Sequence, residues 1–217
     1  MSLINLPLSD WLDNVSLAAL SSKETLLTTF DLARIVIERG IPGDFVECGV
    51  YGGAQCAVMA RAIMGRIEIE DSRWKQGDKI PRQNRRVHLF DSFAGVPAAG
   101  PHDEGWTHEP GVSKCDLDSV KAHMREWGIT DELLWYHPGL FEETLEWAHP
   151  SVVGIAILRI DCDLYESTRL CLKHLLPLVS PGGYVICDDF ALPGSRKAVL
   201  ESPIANEGPA YFQVQPR

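Results

Sequence analysis

An α/β fold, with a mostly parallel sheet flanked by helices, is predicted by three features of this chain. Residues 152–158 and 183–187 are apolar at successive positions rather than at alternate ones, as in strands buried on both faces of a parallel sheet covered by helices. Segments with apolar residues at helical spacing alternate with such runs along the chain. An acidic pair follows each run, Asp161-Cys-Asp163 after the first and Asp188-Asp189 after the second. Ligands of parallel sheets bind beyond the carboxyl ends of the strands, so the four carboxylates are expected to converge on one crevice. Packed that closely they repel and raise one another's pKa values. A hard divalent cation with oxygen ligands removes the conflict.

The elements follow in order. Leu26, Phe30, Ala33 and Ile37 recur at helical spacing, and Gly40 and Pro42 end that helix; residues 1–42 form an N-terminal helical segment. Residues 45–48 read as a short strand, followed by glycines and a helix over 54–64. The polar stretch 67–86, with Asp71, Lys75, Asp78 and Lys79, reads as a surface insertion. Residues 87–90 are the next strand. The Gly- and Pro-rich stretch 97–111 carries His102, Trp106 and His108 and reads as a mobile loop over the site, a candidate lid. Val120, Met124 and Trp127 mark a helical face closed by Gly128. A strand at 133–136, a helix at 164–176 stopped by Pro177, a turn at 180–183, a helix at 194–201 and a last strand at 210–214 complete the order.

The 217 residues fit one domain spanning 1–217. Hydrophobic residues at 45% and charged residues at 23% are those of a soluble globular protein. Arg159 breaks the longest apolar run well short of the roughly 20 residues that span a membrane. Residues 1–7 lack the basic and apolar regions of a signal peptide. A net charge of -10 argues against a nucleic-acid partner, whose phosphates need clustered Lys and Arg. None of the six cysteines forms a Cys-x-x-Cys pair. Cys48, Cys162 and Cys187 read as small packed hydrophobes at strand ends, and the cytoplasm is the expected compartment.

Glu47-Cys-Gly49-Val-Tyr51-Gly52-Gly53 links a strand to a helix. Its glycines allow close backbone approach to a ligand, and the helix N-terminus favours an anionic group; a plain tight turn has the same signature. It is not Gly-x-Gly-x-x-Gly, so the dinucleotide fingerprint is absent. Asp91 ends the next strand, where an acid commonly holds ribose hydroxyls. Its alternative role is a helix N-cap. The stretch 67–86 makes its distance from Gly49 longer than the roughly 20 residues of a simple βαβ unit.

In order along the chain stand Gly49-Val-Tyr-Gly-Gly53, Leu89-Phe-Asp91-Ser92-Phe, Gly139-Leu-Phe-Glu-Glu-Thr144-Leu, Leu158-Arg-Ile-Asp161-Cys-Asp163-Leu-Tyr-Glu-Ser-Thr168, Ser180-Pro-Gly-Gly-Tyr-Val-Ile-Cys-Asp188-Asp189 and Pro193-Gly-Ser-Arg-Lys-Ala-Val199. Together they resemble the macrocin O-methyltransferase family, Mg2+-dependent sugar O-methyltransferases of antibiotic biosynthesis that use S-adenosylmethionine (SAM). The likeness runs from about residue 43 to about residue 199. It implies a Rossmann-like class I SAM-dependent methyltransferase fold, with SAM at Glu47, Gly49, Tyr51, Gly53, Asp91 and Ser92. It implies Mg2+ at Asp161, Asp188 and Asp189, Asp163 as the base, and a small hydroxylated acceptor. The chain departs from the family with Tyr51-Gly-Gly53 where Trp-Arg-Gly-Gly is frequent, with Cys162 where Gly is common, and with a short segment ahead of Lys23. Acceptor identity and homo-oligomerisation stay open.

The implied chemistry suits the residues. A sugar hydroxyl is a poor nucleophile at neutral pH; Mg2+ would lower its pKa and orient it, and Asp163 would take its proton. His102 and His108 are the alternative bases. His137, Tyr165 and Arg196 read as structural. Two other functions compete. An NAD-dependent sugar oxidoreductase lacks its glycine pattern and a Tyr-x-x-x-Lys pair here, and leaves the acids without a role. A non-enzymatic SAM- or metal-binding module would bind without methyl transfer.

Overall fold

The computed structural model describes residues 3–76, 84–146, 151–204 and 211–213. Its strands are β1 (Asp44–Cys48), β2 (Val87–Asp91), β3 (Leu134–Pro138), β4 (Ile155–Ile160), β5 (Val179–Cys187) and β6 (Tyr211–Gln213). They form one sheet in the order β3-β2-β1-β4-β5-β6. The first five are parallel, and β6 runs antiparallel to β5 at the edge. The chain winds outward from β1 to β3, then returns to lay β4 against the other side of β1. The carboxyl ends of β1 and β4 are therefore the switch point where such sheets bind ligands.

Among the described residues, seven α-helices cover the sheet: α1 (Leu8–Val15), α2 (Lys23–Glu38), α3 (Ala54–Lys75), α4 (Leu117–Glu126), α5 (Phe141–Thr144), α6 (Tyr165–Leu175) and α7 (Pro193–Leu200). Strand side chains alternate between faces. Phe45, Val87, Leu89 and Ile157 pack with α1 to α4, and Val46, Phe90, Leu158 and Val185 pack with α6 and α7. Each such side chain removed from water contributes about 1.5–3 kcal/mol, which fixes register, because a one-residue slip would exchange the faces. The helices begin and end where local chemistry directs. Ser22 accepts the Thr25 N–H ahead of α2, Asp116 accepts that of Ser119 ahead of α4, and Gly40 and Gly128 take positive φ after them. No described helix is long and apolar enough to cross a membrane.

Two elements differ from the sequence expectation. The helix after the glycine turn continues through residues 67–75 instead of stopping at Met64. Gly65 costs it only about 1 kcal/mol, no proline interrupts it, and Arg66 pairs with Glu70 one turn on at 2.7 Å. Residues 67–75 are exposed on most sides, Ile67, Ile69 and Trp74 included, with Glu70 buried; residues 77–83 lie outside the described part. Residues 180–183 are a bulge inside β5 rather than a turn before it. Val179 already pairs with Ile155, pairing resumes at Tyr184 opposite Ile157, and Gly182 takes φ +84 between them.

Candidate active site

The carboxyl ends of the strands are laced together. Gly49 N–H donates to the Phe90 carbonyl and Asp161 N–H to the Cys48 carbonyl, both at 2.9 Å. Gly49 has φ +86, and a Cβ on it would stand 1.7 Å from the Asp161 carbonyl oxygen. This glycine lets β1 and β4 close on each other. Gly53, ahead of α3, is turned elsewhere: a Cβ there would meet the Met124 side chain at 2.7 Å, and Gly53 is absent from the cavity wall. Of the six residues expected around SAM, the other five line one cavity of about 300 Å³. Asp91 does not cap a helix of its own. One oxygen accepts the N–H groups of Val50 (2.6 Å) and Tyr51 (3.3 Å), and the other accepts that of Phe93 (2.7 Å). Asp91 thus ties the glycine turn after β1 to the end of β2. Ser92 folds the next turn, accepting the Ala94 N–H and donating to the Gly95 carbonyl.

At the other end of the cavity, ligand oxygens of Asp161, Asp188 and Asp189 lie within 4.8 Å of one another. Behind them sits Arg159 of β4, fully buried. Its Nη2 donates to Asp161 at 2.8 Å and to Asp188 at 2.9 Å, and its Nε donates to Glu47 at 3.2 Å. Glu47 also accepts the Cys56 thiol at 2.6 Å. The relief of carboxylate crowding therefore begins inside the protein, with a residue that sequence reading treated only as a break in an apolar run. The signal was there: a charge within a doubly buried strand must be paired. Burial alone would lower the Arg159 pKa, but Asp161, Glu47 and Asp188 outweigh it and raise it.

One guanidinium does not balance all the acids. Burial, reinforced by Asp161 and Asp163, pushes the Asp189 carboxyl up to about 8. Burial also raises Glu47 to about 8, against the pull of Arg159 and the Cys56 hydrogen bond. Asp163 rises to about 6 through burial and then Asp161, with His108 pulling the other way. Three carboxylates facing one point are an oxygen-only donor set that fits a hard cation. Oxygen donors that all lie within 4.8 Å of one another can close on such an ion as Mg2+, whose ligands stand about 2.0–2.1 Å from it. Asp163 enters the cavity from beyond the strand. The strand ends at Ile160, and Asp163 takes φ +62, a conformation Asp tolerates better than most residues. Its N–H donates to Asp189 at 2.8 Å.

With this geometry, a match to the macrocin-O-methyltransferase (TylF) family over residues 22–206 is decisive. The chain belongs to that family. It is 36% identical over 170 residues to 8-demethyl-8-(2,3-dimethoxy-alpha-L-rhamnosyl)-tetracenomycin-C 4'-O-methyltransferase from Streptomyces olivaceus, an overlap of 76% of this chain and 59% of that protein. It is 35% identical over 175 residues to demethyldecarbamoylnovobiocin O-methyltransferase from Streptomyces niveus, covering 76% and 60%. The chain thus spans about three-fifths of the length of these relatives. The solved structure of the O-methyltransferase NovP superposes with a TM-score of 0.75 at 28% identity, over 92% of this chain and 83% of that one. The fold is that of class I SAM-dependent O-methyltransferases.

In this TylF-family chain the loop after β2 is tied at its neck by Val96 N–H to the Val112 carbonyl and Gly111 N–H to the Val96 carbonyl, at 2.9 and 2.8 Å. Trp106 and His108, in edge contact at 4.9 Å, border a second recess with Asp163, Asp188 and Asp189. His102 instead sets its ring against Tyr165 at 4.4 Å. The Tyr165 hydroxyl donates to Glu201 at 2.7 Å, and Arg196 lies over the Phe190 ring at 5.3 Å. His137 is away from the cavity, stacked on Phe90 at 4.0 Å and 2.9 Å from His88.

Proposed function

We propose that this chain, as a single catalytic domain in the cytoplasm, transfers the methyl group of SAM to a hydroxyl of a small sugar or glycosylated acceptor with the help of Mg2+. The observation that carries the reading is the opening of the Asp91 turn and the Asp161–Asp163–Asp188–Asp189 acids onto one cavity. Glu47, Gly49, Tyr51, Asp91 and Ser92 would contact SAM, and Gly53 would act by setting the start of α3. Asp161, Asp188 and Asp189 would hold Mg2+. When bound, that ion supplies positive charge that stabilises a developing alkoxide and lowers the hydroxyl pKa.

The protein's own groups do the rest. Asp163 takes the proton as the hydroxyl oxygen attacks the methyl carbon. SAM, when bound, would supply the methyl carbon, which would pass to that oxygen as its bond to sulfur breaks, leaving S-adenosylhomocysteine. A carboxylate is a proton acceptor at neutral pH, and Asp163 lines the same cavity as the three proposed ligands. Arg159 keeps Asp161 and Asp188 aimed into the cavity. The loop over residues 97–111, carrying Trp106 and His108, would exclude water and wall the acceptor. Support for a sugar acceptor comes from the relative named for a rhamnosyl-tetracenomycin; a second relative is named for demethyldecarbamoylnovobiocin.

The test is methyl-labelled SAM with a panel of hydroxylated glycosides, with Mg2+ and with EDTA. Label is expected in the acceptor with Mg2+ and not with EDTA. SAM binding without transfer to any acceptor would favour a binding module; equal transfer in EDTA would remove the metal.

A further inference from the structure

We infer that Asp103 is a positioning residue for the catalytic turn: it clasps the loop tip onto the N-termini of α6 and α7, and so fixes the backbone that presents Asp163. The catalytic half of this inference rests on the reading of Asp163 as the base; the clasp rests on geometry alone. The first N–H groups of any helix lack intrahelical partners. Leu164, which precedes α6, and Leu192, which precedes α7, have no side-chain oxygen to accept them. Asp103 supplies one for α6 from 62 residues away, accepting the Tyr165 N–H at 2.7 Å, and lies against Gly194 at the start of α7. Its other oxygen accepts the Gly100 N–H at 2.8 Å and shapes the loop tip. A negative charge at two helix N-termini is favourable in its own right.

Gly194 adds an independent sign of close fit. A Cβ there would stand 2.0 Å from the same Asp103 oxygen and 3.1 Å from the Tyr165 nitrogen. This gives the glycine of the Pro193-Gly-Ser-Arg segment a reason. Asp163 lies two residues before Tyr165, and its own N–H is held by Asp189 at 2.8 Å. The turn from 163 to 165 is thus fixed at both ends by a carboxylate accepting a backbone N–H. Releasing the Tyr165 end would let Asp163 relax from its left-handed φ. The same release would free Trp106 and His108 from the acid cluster.

The experiment compares Asp103→Ala, Asp103→Asn and Gly194→Ala with the native chain. Amide hydrogen exchange is followed without ligands, then SAM affinity and turnover. In Asp103→Ala, exchange at Tyr165 and across residues 96–112 should speed at least tenfold while β4 and β5 keep their protection. Turnover should fall tenfold or more with SAM affinity within twofold. Asp103→Asn keeps an acceptor oxygen and should restore most of both losses. Gly194→Ala should reproduce them with Asp103 present, because the added methyl displaces the carboxylate. Native protection of Tyr165 in Asp103→Ala overturns the clasp. Faster exchange with native turnover overturns the positioning role, and loss of protection throughout β4 and β5 reduces Asp103 to a general fold support. The exchange measurements need no acceptor, so they stand or fall separately from the methyl-transfer reading.

Discussion

Arg159 with its carboxylates, and the line Asp44–His88–His137, are both polar chains laid across neighbouring strands around a buried Arg159 and a buried His88, yet one opens into the cavity and the other closes on itself. The first joins Glu47 on β1 and Arg159 on β4 to Asp161 and Asp188 at the ends of β4 and β5. It is built around the Arg159 guanidinium, and its last two carboxylates remain about a third exposed, at 29% and 30%. The second crosses β1, β2 and β3. His88 is 3.2 Å from Asp44 through Nε2 and 2.9 Å from His137 through Nδ1. A proton on Nε2 of each imidazole satisfies both contacts, so neither ring needs a charge. Its rings also stack on Phe90 and meet Trp135 edge-on. The closed chain is complete as it stands. The open one carries more negative charge than its guanidinium cancels, and that excess faces the space where a cation and substrate would arrive.

The sharpest way to break this contrast is Asp163→Asn. It keeps size and removes the proton acceptor, so turnover should fall by a factor of about 10²–10⁴ while SAM and Mg2+ still bind. Near-native turnover would move the base elsewhere. His108, which borders the same recess, is then next, ahead of His102, which packs on Tyr165. Arg159→Met tests the open chain itself. It strands Glu47, Asp161 and Asp188 without their cation, and losing one partner of a buried pair costs about 3–5 kcal/mol. A denaturant midpoint equal to the native one would mean that Arg159 does not carry that load.

Smaller effects sharpen the comparison at β2, which hosts His88 and, three residues on, Asp91. Asp91→Ala should weaken SAM binding, since one or two ribose hydrogen bonds to a charged acceptor are worth about 1.5–3 kcal/mol each, and it also unties the turn at Val50. Unchanged calorimetric affinity would remove Asp91 from the SAM site. The closed chain should show itself through pH. Burial, and then His88, lower the His137 pKa from 6.5 to about 4. Between those values the unfolded chain binds a proton that the folded chain refuses, so this contribution to stability is intact above pH 6.5 and drains as pH falls toward 4. His137→Phe should flatten the fall of melting temperature across that window. An unaltered slope would show that His137 does not titrate in this way.

Much of this was legible in the residues. The runs before Asp161 and Asp188 announced parallel strands and a crevice at their ends, because apolar side chains on both faces have no other use. The glycines after Glu47 marked the turn, but not that Gly49 serves the approach of β1 to β4 while Gly53 serves that of α3 to α4. Spacing along a chain does not say which neighbour comes close. Arg159 was missed because an apolar window registers a charge as an end, when its partners Glu47 and Asp188 come from other strands. Asp103 was missed for the same reason: its partner, Tyr165, begins a helix far along the chain. The helix after Gly53 was ended at Met64 because polarity alone does not show how far a helix runs on into solvent.

The division of labour among the acids is the central claim, and calorimetric titration of Mg2+ into the native chain, Asp161→Asn and Asp163→Asn tests it most directly. Asp161 points at the proposed ion beside Asp188 and Asp189, whereas Asp163 sits past the strand end with its N–H on Asp189. The native chain and Asp163→Asn should bind Mg2+ with similar affinity, and Asp161→Asn should bind far more weakly. Equal affinity in all three, or a loss in Asp163→Asn as large as that in Asp161→Asn, would contradict the assignment of ligand and base.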